Sequence, residues 1–461
     1  MANFWEFSVW GGFSILAVLL ISLMFANFLK KAVRFLRVSL IPTSVLAGVI
    51  LLVISSVYHA IFGEVMFDTA FFGGNGMADM EVITYHALAL GFIASTLKTS
   101  ENKMTKKRSV EIFNTGVTTV STYLLQGVVG LGVTILIALI LDGFFPAAGV
   151  LLPFGYGQGT GQALNYGSIY EADYGFVGGK SFGLTIAALG FLSASIGGVI
   201  HLNILKKQKK IVILDESENS PHVEFQSNNE IAINGSLDKL TVQIALIAIS
   251  YFTAYLLMYG LGLLLPGMKS VVYGFNFLIG VLMATLVKAV IKTLQKNKVM
   301  KKQYTNNFLL DRVGNTCFDV MVVAGIAAIR LDLLKQYWWI LLLLGVVGLL
   351  ITYFYVRFAS YTLFPEYREE QFLAMYGMLT GTASTGIILL REIDGEFKTP
   401  VADNLVYQNF PAIVFGFPLM LLATLAPKDP YLTLLLLFLF FVAMSLILFR
   451  SKIFKKKIKT K

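Results

Sequence analysis

Apolar runs of about 20 residues recur from one end of the chain to the other, each long enough to cross a hydrocarbon layer of roughly 30 Å as a helix. The pattern predicts helices over 7–28, 40–62, 82–98, 117–141, 180–204, 240–264, 271–293, 316–334, 337–360, 408–426 and 430–450. Two further stretches, 147–179 and 372–398, are apolar but crowded with glycine, threonine and serine. Each reads as a short apolar arm, a Gly/Thr break and a second short arm, the expected pattern of a re-entrant hairpin.

The polar connections set an orientation. Clusters such as Lys30/Lys31/Arg34/Arg37, Lys103/Lys106/Lys107/Arg108, Lys206/Lys207/Lys209/Lys210, Lys296/Lys298/Lys301/Lys302 and Lys455/Lys456/Lys457 alternate with connections poor in basic residues. The segment after the second helix carries Glu64, Asp68, Asp79 and Glu81 instead. By the positive-inside rule the basic side is cytoplasmic, which puts the N-terminus outside and, after eleven crossings, the C-terminus inside a cell membrane. The first apolar run has its positive charge behind it rather than in front, so it reads as a retained helix and not a cleaved signal.

With the hairpins included, each half has five long helices and one broken segment between its fourth and fifth, in opposite orientations. The expected fold is an all-α polytopic membrane protein of two inverted repeats, 1–205 and 240–427. A polar linker, 206–239, joins them, and 428–461 adds one extra helix and a basic tail.

Composition agrees: 56% of the 461 residues are hydrophobic and 14% charged, far too few charges for a water-soluble surface of this size. The net charge of +10 lies in short runs between apolar segments, which points to topology and anionic lipid rather than nucleic acid. The single cysteine, Cys317, excludes an intrachain disulfide and a cysteine-based metal site. Histidines at 59, 86, 201 and 222 have no metal-ligand spacing, and no Walker motif is present.

Chemistry belongs at the two breaks. An unpaired backbone group in hydrocarbon costs several kcal/mol, so non-helical backbone at that depth requires protein or a wet cavity around it. Gly157, Gln158, Gly159, Thr160, Gly161 and Gln162 in the first break, and Thr380, Gly381, Thr382, Ser384 and Thr385 in the second, supply close backbone approach and neutral donors and acceptors. Free N–H groups at a half-helix start favour a carboxylate, and unwound carbonyls with hydroxyls such as Thr160 and Thr382 favour a monovalent cation, Na+ being the simplest. Paired interrupted segments in matching positions of two halves are the sequence mark of a transporter's binding site.

At these residues the chain resembles the bacterial sodium/glutamate symporter family. The likeness rests on Gly157-Gln158-Gly159-Thr160-Gly161-Gln162-Ala163, close to the family's GHGTGAA-like signature, with Ile41-Pro42, Gly314-Asn315 and Leu379-Thr380-Gly381-Thr382-Ala383 at family-like positions. Gln158 stands where the family usually has histidine, and the second loop lacks the family's Gly-x-Gly start and following proline. The resemblance implies a sodium-coupled carrier of glutamate or a similar acidic amino acid, with no other cofactor, no enzymatic activity, and the two loops meeting near the membrane centre. A homodimer is one assembly compatible with this reading. A citrate or hydroxydicarboxylate carrier of the same architecture is the nearest rival, and an ion channel the rival from another class.

Other polar residues in apolar surroundings have two readings each. Asp319, with Asn315 a turn away, reads as a sodium or proton ligand, or as an interfacial charge paired with Arg312. Arg391 reads as a clamp for a solute's distal carboxylate, or as a marker of the membrane surface. Asn276 is a cavity candidate, Lys288 an interfacial lysine beside Lys292, and His86 either a proton-coupling group or a hydrogen-bonded packing residue.

Overall fold

The computed structural model describes residues 3–98, 105–208, 238–298, 304–395 and 398–453; most of the expected linker and the ends of several basic clusters lie outside them. Among the described residues the regular structure is helical, without a strand. The α-helices are α1 (Phe7–Ala32), α2 (Arg34–Val38), α3 (Thr43–Phe62), α4 (Gly76–Leu97), α5 (Lys106–Ala138), α6 (Leu151–Tyr174), α7 (Gly179–Lys207), α8 (Lys239–Leu264) and α9 (Lys269–Gly274). They continue with α10 (Asn276–Lys296), α11 (Asn307–Ala327), α12 (Trp338–Leu363), α13 (Arg368–Thr380), α14 (Ala383–Arg391), α15 (Val401–Tyr407), α16 (Asn409–Leu425), α17 (Pro430–Leu448) and α18 (Arg450–Ile453).

Nine of these helical segments among the described residues are long and apolar enough to cross a membrane, ten if the bent pair Val401–Tyr407 and Pro411–Leu425 counts as one span. The expected span at 408–426 is this bent pair. The expected span at 316–334 is instead α11, which starts earlier, at Asn307, and ends at Ala327. It takes in Asp311, Arg312 and Asp319 and is not one of the nine. Large apolar side chains such as Phe13 and Ile21 on α1, Val346 and Phe354 on α12, and Leu435 and Leu439 on α17 are exposed. Helices apolar on all sides need lipid or protein around them. The molecule is thus a polytopic α-helical membrane protein.

Polar caps and ion pairs set where several helices begin, and in α5 they carry the helix well past its apolar run. α5 starts at Lys106 rather than 117: the Thr105 hydroxyl caps it by accepting Arg108 N at 3.3 Å, and Arg108 then pairs with Glu111 at 2.9 Å. Its 33 residues are about 50 Å long. Asp238 caps α8 by accepting Leu240 N at 2.8 Å, and Asp429 caps α17 ahead of Pro430 by accepting Leu432 N at 2.9 Å.

The chain divides into two compact units: Met1–Glu81, Met104–Val212 and Val322–Lys461 form the first, Val82–Lys103 and Ile213–Met321 the second. Both draw on the two sequence halves, so compactness follows packing and not chain order. The second unit has its own core of Ile93, Ala94, Leu97, Ile247, Ala284 and Leu310. Lys98 pairs there with Asp311 at 2.6 Å. The first unit holds both glycine-rich segments, and its core gathers around α13 through Phe372, Leu373, Met375, Tyr376 and Leu379.

Candidate binding site at two chain breaks

In the first unit the chain doubles back twice. α6 contains one residue outside helical geometry, Gly159, at φ 78° and ψ −170°. The positive φ is open to glycine and costly to a residue with a Cβ. In a straight helix Phe154 and Tyr166 would be about 18 Å apart along the axis. Their rings instead stack with centroids 3.9 Å apart and 10° between planes. The chain therefore reverses at Gly159, and Leu151–Tyr174 is two arms rather than one rod.

The second reversal separates α13 from α14 at Gly381 and Thr382. A Cβ on Gly377 would lie 2.8 Å from the Gly386 Cα, so the two arms touch backbone to backbone and glycine is required at the contact. Thr382 and Thr385 form a reciprocal cap over the start of α14, with their hydroxyls 3.4 Å apart.

One face of α5 bridges the two breaks. The Tyr123 hydroxyl donates to the Gly157 carbonyl at 2.8 Å, and a turn further on Gln126 Nε2 donates to the Leu379 carbonyl at 3.0 Å and to Thr352 Oγ1 at 2.9 Å. A third helix closes the group: a Cβ on Gly190 of α7 would lie 2.5 Å from the Thr380 carbonyl and 3.2 Å from the Tyr156 ring. Tyr156 in turn shares a hydrogen bond with Ser193 Oγ at 2.8 Å and donates to the Gly345 carbonyl at 2.5 Å. The residues that lead into both breaks are thus brought to one place by α5, α7 and α12.

The polar atoms there are not all satisfied. Gln162 is 1% exposed, and among the described residues neither its Oε1 nor its Nε2 has a hydrogen-bond partner. Gln126 is fully buried and its Oε1 is likewise unpartnered. A buried amide group left unmade costs about 1–3 kcal/mol, and such groups in a native fold call for an explanation. A ligand with acceptor and donor atoms would supply one.

Of the sequence-predicted residues, Gly157, Gly159, Thr160, Gly161 and Gln162 are buried and Gln158 is half-buried at the first break. Thr160 packs against Gly325 of α11. Thr380, Gly381 and Thr385 are buried at the second break, Thr382 is half-buried and Ser384 exposed. Arg391 is exposed at the far end of α14, about 13 Å along that helix from the break. Asn315, Asp319 and Asn276 belong to the second unit. Asn315 and Asp319 are exposed there. Asn276 is fully buried, with its amide engaged: Nδ2 donates to the Tyr85 carbonyl at 2.9 Å and Oδ1 accepts Phe277 N at 2.7 Å. Arg312 lies 4.9 Å over the Phe308 ring. His86 shares a hydrogen bond with the Tyr251 hydroxyl at 2.7 Å, and Lys288 Nζ donates to the Thr96 carbonyl at 3.2 Å.

Gln126, Tyr123 and Thr352 were not among the residues expected at the site. A glutamine inside the apolar run Tyr-Leu-Leu-Gln-Gly-Val-Val is a signal that could have marked Gln126. Tyr123 and Thr352 carry none, since both residue types are common in apolar helices.

No protein-family model matches the chain, and no curated protein matches it significantly.

Proposed function

We propose that this chain is a secondary active transporter of the cell membrane that couples Na+ movement to the uptake of glutamate or a similar acidic amino acid by alternating access. The observation that carries the reading is the bridge from α5: Tyr123 and Gln126, one turn apart, hold the backbone of both breaks at 2.8 and 3.0 Å, while the Gln126 Oε1 and both amide atoms of Gln162 are buried without a partner among the described residues. Two interrupted segments meeting among packed helices are what a carrier needs, because irregular backbone is tolerated at membrane depth only where it lines a cavity.

In this reading the reversals at Gly159 and Gly381 are re-entrant hairpins, one in each of two inverted repeats, with the N-terminus outside and the C-terminus in the cytoplasm. The half-helix start at α14 offers N–H groups to a solute carboxylate. Carbonyl and hydroxyl oxygens at the breaks, those of Thr160 and Thr382 included, take the cation. Cation binding orders the break and places the N–H groups for the anion, so each ligand raises affinity for the other. Arg391 lies at the far end of α14 and is not part of this set.

The test is uptake of labelled glutamate into vesicles containing the purified protein, with an inward sodium gradient and with choline in its place. Accumulation above equilibrium with sodium alone is expected. Equal uptake in both media would reject sodium coupling, and no uptake of any acidic amino acid would reject the solute class.

A further inference from the structure

A second polar cluster lies at the foot of α13, away from the breaks, and the transport reading makes no use of it. His201 of α7 is 1% exposed. Its Nδ1 is 2.8 Å from the Tyr353 hydroxyl of α12, and its Nε2 is 3.2 Å from Glu369 Oε2 of α13. The Tyr361 hydroxyl donates to the same carboxylate oxygen at 2.6 Å. Three helices thus meet at one imidazole–carboxylate pair.

Charged and titratable groups of α12 and α13 face the pair. From α12 come Tyr353, Tyr361 and Arg357, whose guanidinium lies 5.2 Å over the Tyr361 ring. From α13 come Arg368, with Nε 3.9 Å from Glu369 Oε1, and Glu370, the adjacent carboxylate. Ionisable groups buried in a membrane protein are costly and usually serve function.

The pair is joined to the second break along one face of α13. Glu369, Phe372, Tyr376 and Thr380 follow one another at spacings of three, four and four, which places them on a single helical face. The His201 ring is 4.3 Å from Phe372, and Phe372 stacks on Tyr376 at 5.6 Å and 19°. The Tyr376 hydroxyl donates to the Ser193 carbonyl of α7 at 2.8 Å, and Thr380 Oγ1 donates to the Tyr376 carbonyl at 2.7 Å. Gly381 comes next.

We propose that His201 and Glu369 form a proton-binding site that sets how firmly α13, and with it the break at Gly381, is held against α7. With the carboxylate ionised, a neutral imidazole meets both contacts when Nε2–H donates to Glu369 and Nδ1 accepts the Tyr353 O–H. The Tyr353 hydroxyl, on a half-buried residue, passes its proton to Nδ1 and takes one from water. The imidazole becomes imidazolium, the Tyr353 oxygen changes from donor to acceptor, and the pair passes from one negative charge to none. The added attraction ties α7 to α13 across the pair. Any consequence for solute movement rests on the transport reading; the proton site does not.

The experiment places a pH-insensitive dye on Ser384→Cys, just past the break, in a Cys317→Ser background, and measures quenching by aqueous iodide in nanodiscs from acid to alkaline pH. Quenching severalfold weaker at the acid end is expected, with a flat profile in His201→Gln. A flat profile in the parent protein, or the same step in His201→Gln, overturns the proposal. Should His201→Gln not fold, Tyr353→Phe decides: removing the Nδ1 partner must shift the midpoint, and an unmoved midpoint overturns the proposal. Sodium-driven uptake is read separately, with the unlabelled parent protein in sealed vesicles. A histidine-dependent quenching step without uptake would sink the transport reading and leave the proton site standing.

Discussion

Gly159 and Gln162, three residues apart, are constrained in opposite ways. Gly159 is held at φ 78° and ψ −170°, a region essentially confined to glycine, where a strained residue costs on the order of 1–3 kcal/mol. Gly159→Val is expected to abolish uptake while the protein still reaches the membrane, checked by transport assay alongside quantified surface expression. Undiminished uptake would remove this break from the site. Gln162 carries two buried polar atoms without partners. Replacing it with leucine removes an unsatisfied amide, so Gln162→Leu should leave the unliganded protein equally stable or more stable by about 1–3 kcal/mol. The same change should cost uptake, a divergence expected where a residue is kept for binding at the expense of stability. A loss of thermal stability in Gln162→Leu would mean that the amide supports the fold. Gln126 behaves differently: Gln126→Ala strips the Leu379 carbonyl and Thr352 of a donor, so both stability and uptake should fall.

At the scale of elements, each reversal is held by close contact between its arms. α6 closes through the stacked rings of Phe154 and Tyr166, α13 and α14 through Gly377 and Gly386. The turn that follows α14 is fixed by Asp394, which accepts Lys398 N at 2.8 Å, Thr399 N at 2.9 Å and the Thr399 hydroxyl at 2.5 Å. Burial pushes this carboxyl's pKa up, but the hydrogen bonds from Thr399 and Lys398 outweigh it and hold the pKa below the ordinary value. A carboxyl lowered in the folded state adds stability above its unfolded pKa and loses it as pH falls through the folded one. Melting curves of the parent protein and Asp394→Asn should therefore differ at neutral pH and converge below the carboxylate range. A constant difference at all pH values would assign the effect to shape rather than charge. The positions of the breaks were legible in the run of glycines, but the true extents of α5 and α11 were not. Charged residues such as Arg108 and Asp311 end a hydropathy window without ending a helix, because a cap or an ion pair accommodates them.

At the scale of the molecule, a coupled carrier should show linked ligands. Glutamate is expected to raise the melting temperature of the purified protein in sodium and to do so much less in choline, since a ligand stabilises only the state that binds it. An equal rise in both media would separate the solute from the ion. Local composition alone determined that this is a helical membrane protein, where most of its apolar helices lie and where the chain is interrupted, because hydrocarbon demands internally satisfied backbone and only particular residues permit a break. Which polar side chains share a site was decided by packing: α5 brings Gln126 and Tyr123 to both breaks, while Asn276 spends its amide on Tyr85 and Phe277 in the other unit. The grouping of α4, α8, α10 and α11 residues in one unit and the two broken segments in the other was equally out of reach of the chain read in order. Hydrophobicity is a property of each segment by itself, but hydrogen-bond partnership between helices exists only once their neighbours are chosen.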